Sequence, residues 1–554
     1  MIRHALPAYE KAGEKLQQEV SELWRILMSA GTGSETQNIT CVLDALDECR
    51  DRDRSRLITM LSEFWVTHSS SAPRGGYLKF LITSRPYSDI QLPVIHLRGE
   101  DENDQIHQEI DHVIRLRVAE LVDKENLSVE TKDQLEYKLL AMKHRTYLWL
   151  YLAIDGIRST YQNSLRPDEE SIESLPSTVE ESYEKILERV SYKARDTVYQ
   201  ILQIVVGARR PLTVDEMAVA LSVITKPHLE SIDRNIDKDR LERNIRQWCG
   251  LFVYINHSKV YLIHQTAKEF LLKNSPATVT NLPKWKHCFS MESVDLSMTI
   301  TCVRYLARTS HVKKPHQKQS GQALNISDQD DHGDNIEGSD DTVSSDGFWN
   351  YAAEYWCDHA RNAQTKVEEV PMRLVLELYD TKSAKFRHWF QAVWEAFRPW
   401  EGLPTMNEIR LAAFNGHDVV LQKFLIEGRD ELNIADQEGR TALLWASELG
   451  YEKVVQILVD AGADLTSQHR YYGNALQAAS AGGHEKVVQM LVDAGADLNA
   501  QGGRYGNALR AASAGGHDKV VQMLVDAGAD VNAQHIHYGD ALQAASAGGH
   551  DKVV

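Results

Sequence analysis

The chain lacks any apolar stretch long enough to cross a bilayer. Its longest run, Tyr147–Ile154, falls far short of the ~20 residues that a spanning helix needs. The opening residues, MIRHALP, carry no apolar core of a secretory leader. Cysteine is sparse: six residues, at positions 41, 49, 249, 288, 302 and 357, with no C-x-x-C pair. That excludes a disulfide scaffold and makes the reducing cytoplasm the expected location. Positive charge is short as well. Lys and Arg total 61 against 79 Asp and Glu, a net charge of −18. This argues against nucleic acid or an anionic membrane surface as the main partner, since both require a positive face. What remains is ordinary globular composition, 43% hydrophobic and 25% charged, in 554 residues, enough for about three to five domains.

An internal repeat organises the C-terminal third. Gly473–Tyr505 and Gly506–Tyr538 are identical at 27 of 33 positions, a further copy starts at Gly539, and diverged copies occupy Asn407–Glu438 and Gly439–Tyr472. The unit reads as an inner helix (Ala475–Ala481), a Gly-Gly-His break and an outer helix (Lys486–Ala494), a helix-pair solenoid. Val487, Val488, Leu491 and Val492 form the stripe that packs on the neighbouring unit. Gly495 falls where the helix must end in a left-handed conformation. The unit resembles the ankyrin repeat, whose G-H-x-x-V-V-x-x-L-L-x-x-G-A-D-x-N pattern is nearly complete at Gly516–Asn532. It departs at T-P-L-H-x-A, which here is TALL at Thr441–Leu444 and NALQ at Asn474–Gln477. Those losses touch capping of the inner helix, not the class of fold.

Near the N-terminus, Ile39–Leu43 (ITCVL) is of buried-strand type and runs into Asp44, Asp47 and Glu48. Carboxylates at the C-terminal end of a buried parallel strand lie where α/β folds bind ligands. The arrangement suits a Walker-B site, one Asp holding Mg²⁺ and later acids positioning water. A strand running into the acidic start of a helix is the alternative. A second strand, Leu78–Thr83, leads into Arg85, whose guanidinium matches phosphate geometry or makes an ordinary ion pair. Val94–Leu97 reads as a third strand and Asp104–Leu121 as an amphipathic helix. Thr213 and Glu216 spell a capping box. Leu251–Ile255, a turn at Asn256–Ser258 and Val260–Ile263 spell a hairpin of winged-helix type. His264 follows directly, and Thr266 with Glu269 spells a second capping box.

In this order the motifs resemble the STAND-class signalling ATPases, most closely the NACHT type of fungal incompatibility and NOD-like receptor proteins. The resemblance runs from about Met1 to Phe270. It implies that Asp44 organises Mg²⁺, that Asp47 and Glu48 position the attacking water, and that Arg85 senses phosphate. Ile263–Phe270 (IHQTAKEF) matches the family's h-H-x-[ST]-x-x-[DE]-F, in which the winged-helix His contacts the β-phosphate of ADP. That implies the same of His264; a satisfied core or helix-start histidine is the alternative reading. Mg-ATP/ADP is the cofactor so implied for the full-length parent.

The sequence contains no Gly-Lys dipeptide and hence no G-x-x-x-x-G-K-[ST], the loop that cradles phosphates. In the resemblance, the strand feeding that loop lies between those matching Ile39–Leu43 and Leu78–Thr83. The chain is therefore read as a fragment, cut before the loop and again within a repeat, and is expected to be inactive alone as an ATPase or GTPase.

The expected fold is multidomain α/β plus α. A partial P-loop NTPase (NACHT-like) core occupies 1–100, a helical domain 101–175, a winged helix 176–275 and a helical segment 276–310. An acidic disordered linker follows at 311–347, where residues 328–339 faintly resemble a calcium loop with Ser339 in place of the last ligand. An aromatic-rich helical connector spans 348–404 and an ankyrin α-solenoid 405–554. The expected function is a nucleotide-switch signalling protein whose repeats bind a protein partner and control an ATP/ADP-dependent state, with self-oligomerisation, no nucleic acid and no membrane. The alternative is a non-catalytic ankyrin scaffold with a degenerate nucleotide core. A winged-helix DNA regulator is disfavoured by the charge.

Overall fold

The computed structural model describes residues 24, 26–28, 39–43, 57–58, 60–61, 78–83, 104–125, 127–142, 146–164, 166, 170, 172–173, 175–226, 236–272, 285–308, 347–363, 369–398, 401–427, 431–533, 539–548, 550 and 553–554. It divides into two units, residues 1–98 and 99–554.

In the first unit, strands β1 (Ile39–Leu43) and β2 (Leu78–Ile82) pair in parallel, Ile39 opposite Leu78 and Leu43 opposite Ile82. The pairing continues as the Thr83 N–H donates to the Leu43 carbonyl over 2.9 Å. Among the described residues, the family strand that the resemblance places between them is absent, and the two strands, expected to be left without a shared neighbour, pair with each other instead. Each strand bonds its partner along one edge, so among the described residues the opposite edge of each is left without a strand. Val42 and its register partner Leu81 keep more than half of their surface exposed, so the described residues leave that face of the pair uncovered.

The second unit opens with three helices: α1 (Asp104–Glu125), α2 (Val129–Ala141) and α3 (Tyr147–Asn163). Helix α1 buries Ile110, Ile114, Val118 and Leu121, one stripe at helical spacing. With Leu135, Leu139, Trp149, Ala153 and Ile157 they form a separate core. Ser128 and Thr146 cap α2 and α3 through their hydroxyls. The Trp149 indole N–H donates to the Pro176 carbonyl over 2.9 Å and ties this bundle to the next segment.

That segment is the winged helix: α4 (Val179–Glu188), α5 (Tyr192–Gly207), α6 (Val214–Thr225), α7 (Lys238–Cys249), the antiparallel hairpin β3 (Val253–Asn256) and β4 (Lys259–Leu262), and α8 (Gln265–Leu271). Leu251 and Phe252 belong to a 3₁₀ turn rather than to the strand. His257 and Ser258 both take positive φ (47° and 60°), the conformation that matches a two-residue turn to strand twist. Thr213 and Glu216 do form the capping box, and the Arg210 guanidinium grips Glu216 with two bonds of 2.8 and 2.7 Å. Thr213→Ala should therefore cost about 1 kcal/mol, read as a lowered urea midpoint, with Thr213→Ser close to wild type.

Helices α9 (Met291–Arg308), α10 (Gly347–Asn362), α11 (Met372–Leu378) and α12 (Ala384–Phe397) form the connector. The ankyrin pairs follow as α13 (Glu408–Asn415) with α14 (Asp418–Ile426), α15 (Ala442–Glu448) with α16 (Glu452–Asp460), α17 (Ala475–Ala481) with α18 (Glu485–Asp493), and α19 (Ala508–Ala514) with α20 (Asp518–Asp526). The inner helix α21 (Ala541–Gly548) comes last. Thr441, Asn474 and Asn507 cap their inner helices by side chain, so the missing T-P-L-H leaves capping intact. Gln477, at the histidine's place, donates to the carbonyls of Ala500 and Gly506 in the next finger.

The histidine of each Gly-Gly-His break bonds backward along the array. Nε2 of His484, His517 and His550 meets the carbonyls of Glu448, Ala481 and Ala514 at 3.0, 3.0 and 3.2 Å. Each ring lies flat on a glycine of the preceding repeat: a Cβ at Gly483, already at φ +69°, would come within 2.5 Å of His517. One hydrophobic core runs from the winged helix through the connector into the repeats.

Candidate functional site

Of the five candidate site residues, Asp44, Asp47, Glu48 and Arg85 lie outside the described residues, as do the Val94–Leu97 strand and all of the 311–347 linker except Gly347, which begins α10. His264 is described, and its placement corrects one expectation. The helix after the hairpin is capped not by Thr266 but by His264, with φ −159° and ψ 160°. Strand β4 ends at Leu262 and α8 begins at Gln265, so only two residues separate strand from helix. Thr266 is already inside the first turn, where its own N–H needs an acceptor. His264 Nδ1 supplies it at 3.2 Å. The ring is otherwise exposed.

Beneath it, Thr266 Oγ1 lies 3.0 Å from His264 Nδ1 and 3.0 Å from the hydroxyl of Tyr183. Tyr183 is wholly buried, its ring edge-on to Phe252 at 5.0 Å and tilted against Phe270 at 5.5 Å. Burial pushes its phenol above the ordinary range. A donor set of one exposed imidazole edge fits a phosphate oxygen. Among the described residues, no group of three His, Cys, Asp or Glu side chains could hold a metal ion. A cleft of about 550 Å³ between α1 and α3, lined by Arg117, Tyr147, Tyr151, Arg158 and Leu251, does not include His264.

Behind α8 sits a buried polar cluster that sequence reasoning missed. Asp295 Oδ1 accepts from the Arg209 guanidinium at 2.5 Å and from His359 Nδ1 at 2.7 Å. His359 Nε2 lies 2.8 Å from the Tyr351 hydroxyl, which accepts the Arg209 N–H at 3.1 Å. The proton order that satisfies every group places a neutral ring with Nδ1–H on Asp295 and Tyr351 donating to Nε2. Burial accordingly holds the His359 pKa below its ordinary value. On α8 itself, burial and then nearby Arg209 lower the Lys268 pKa. An Asp inside the apolar run of Met291–Arg308 was the available clue, because a buried carboxylate requires partners.

Helix α10, which carries Tyr351 and His359, is also bonded to the array. Its Cys357 carbonyl accepts from His417 Nε2 at 2.9 Å, and Arg361 donates to the Asn415 carbonyl at 2.8 Å while stacking on Tyr451. Further along, Arg398 lies over the rings of Phe397, Trp445 and Tyr472 and pairs with Glu401 and Glu448. Arg440 reaches Glu401 at 2.6 Å and Trp445 at 4.7 Å. Thus α10 and α12 join the winged helix to the first two repeats through buried, charge-assisted contacts.

Comparison with known proteins gives the same order of parts. Family models match the N-terminal part of nephrocystin 3 at residues 1–85 and a domain of unknown function at 106–167. They match the winged-helix domain of GPI inositol-deacylase at 185–280 and ankyrin repeats at 406–469 and 468–535. Together with the fungal relatives below, these matches support a fungal NACHT-type protein with C-terminal ankyrin repeats. Among individual proteins, the vegetative incompatibility protein HET-E-1 of Podospora anserina is 23% identical over 410 residues, 71% of this chain. The chain spans only 28% of that relative's length. The azaphilone pigments biosynthesis cluster protein L of Monascus ruber is 28% identical over 425 residues, 68% of this chain and 80% of that protein. Among the described residues, no helix is long and apolar enough to cross a membrane.

Proposed function

We propose that the chain is the switch-and-sensor part of a cytoplasmic NACHT-type signalling protein. In this reading the ankyrin array binds a protein partner and controls an ADP/ATP-dependent state, with self-oligomerisation as the output. The observation that carries it is His264: an exposed imidazole at the end of the hairpin, held from below, on a winged helix that shares one core with the array. His264 would hold an ADP phosphate by a hydrogen bond. Asp44 would hold Mg²⁺, Asp47 and Glu48 would orient water, and Arg85 would face the terminal phosphate; these four roles rest on the family resemblance. The nucleotide supplies the charge whose presence the switch reads. A partner on the array would act on this lock through α10 and α12.

The rival reading, an ankyrin scaffold with a degenerate nucleotide core, draws on the lack of a Gly-Lys dipeptide. Melting the full chain with and without Mg-ADP separates the two. On the switch reading, ADP at a hundredfold its Kd adds about 2.7 kcal/mol. His264→Asn loses most of that gain yet melts like wild type without ligand, because Asn is among the strongest N-caps. A scaffold shows no shift at any ADP concentration.

A further inference from the structure

We propose that Thr266 and Tyr183 are positioning residues that present His264 to a phosphate as an Nε2–H donor. The effect on a ligand rests on the switch reading above; the proton placement does not. A backbone N–H can only donate, so the 3.2 Å contact from Thr266 N obliges His264 Nδ1 to accept. In the neutral ring the proton then sits on Nε2. The hydroxyls below are compatible with one order alone: Tyr183 O–H donates to Thr266 Oγ1, and the Thr266 O–H donates to Nδ1, each across 3.0 Å. The chain of bonds is anchored in the core, because Tyr183 has no exposed surface and is fixed by Phe252 and Phe270. A ring rotated by half a turn would give up both bonds to Thr266. An exposed histidine is thereby oriented with one edge committed and the other offered outward, as recognition of an anionic oxygen requires.

The test uses the full chain labelled with ¹⁵N-histidine. The His264 resonances are assigned by their disappearance in His264→Asn, and Mg-ADP is the probe. In the wild type without nucleotide, Nδ1 should resonate as an acceptor nitrogen and Nε2 as a protonated one. Thr266→Val and Tyr183→Phe should narrow the separation of the two shifts as the second tautomer gains population, and Thr266→Ser should restore it. The backbone donor survives in all three variants, so the change is partial. Mg-ADP affinity should fall about five- to tenfold in Thr266→Val, the worth of one hydrogen bond, and recover in Thr266→Ser. Wild-type shifts in both Thr266→Val and Tyr183→Phe would overturn the proposal. If those shifts move as expected while the wild type binds no ADP, the positioning stands and the switch reading fails.

Discussion

Trp356→Ala should lower the unfolding free energy by about 3–5 kcal/mol, a large share of the ~5–15 kcal/mol that holds a domain together. Trp356 is fully buried at the joint between connector and array. Its indole meets Trp389 edge-on at 5.2 Å, Tyr379 at 6.0 Å and His417 at 5.4 Å, and so touches α12, the end of α11 and the turn before α14. Among the described residues its indole N–H has no hydrogen-bond acceptor. Truncation therefore strands no polar partner, and the loss is that of burial and of the cavity left behind. The aromatic neighbours are themselves interlocked, which limits collapse into that cavity. Because the site bridges two parts of one core, a single urea transition in the wild type should split in the variant. Trp356→Phe should retain most of the stability and the single transition.

Acidification from pH 7 to 5 should destabilise the array, with the steepest loss below pH 6.5. His417 and His469 both have pKa values of about 4, against about 6.5 in an unfolded chain. Burial is the main cause for each; at His469 the Arg440 guanidinium adds to it. Between those values the unfolded chain binds more protons than the folded one, so stability falls as pH falls. Above pH 6.5 the two sites add no slope. Below it each costs ~1.4 kcal/mol per pH unit, or ~3 kcal/mol by pH 4. The geometry agrees. His417 donates from Nε2 to the Cys357 carbonyl, so Nδ1 must accept the Tyr379 O–H at 2.7 Å, and a second proton would meet that donor. At His469 both ring nitrogens meet donors, the Tyr472 N–H on Nδ1 at 3.0 Å and the Arg440 Nε–H on Nε2 at 3.3 Å, so an added proton finds no acceptor there. Urea midpoints at half-unit pH steps read the slope, and a flat profile from pH 7 to 5 would exclude neutral histidines at these sites.

The parts legible in the sequence were those written in short range. A 33-residue period, the Thr213–Glu216 box and the hairpin turn read at Asn256–Ser258, which the structure narrows to His257–Ser258, are each set by neighbours along the chain. The same locality misled at Thr266–Glu269. There the letters of a capping box are present, but the hairpin ends so close to the helix that the cap falls on His264. The contacts that join winged helix to array were not legible. Asp295 and His359 lie 64 residues apart, and Arg398 and Glu448 50 apart; nothing in local pattern pairs them. Asp44, Asp47, Glu48 and Arg85 were read from the ends of two apolar strands and given their roles by the resemblance, as was His264 after the hairpin; of the five, the structure describes His264 alone.

The most direct test of the account is hydrogen exchange on the full chain with and without Mg-ADP. If His264 locks a winged helix that moves with the array, ADP should slow exchange in α8, α10 and α13 together. Trp356→Ala should then keep the protection of α8 and lose that of α13. Protection that stops at the winged helix in the wild type, or none at any of the three helices, would contradict it.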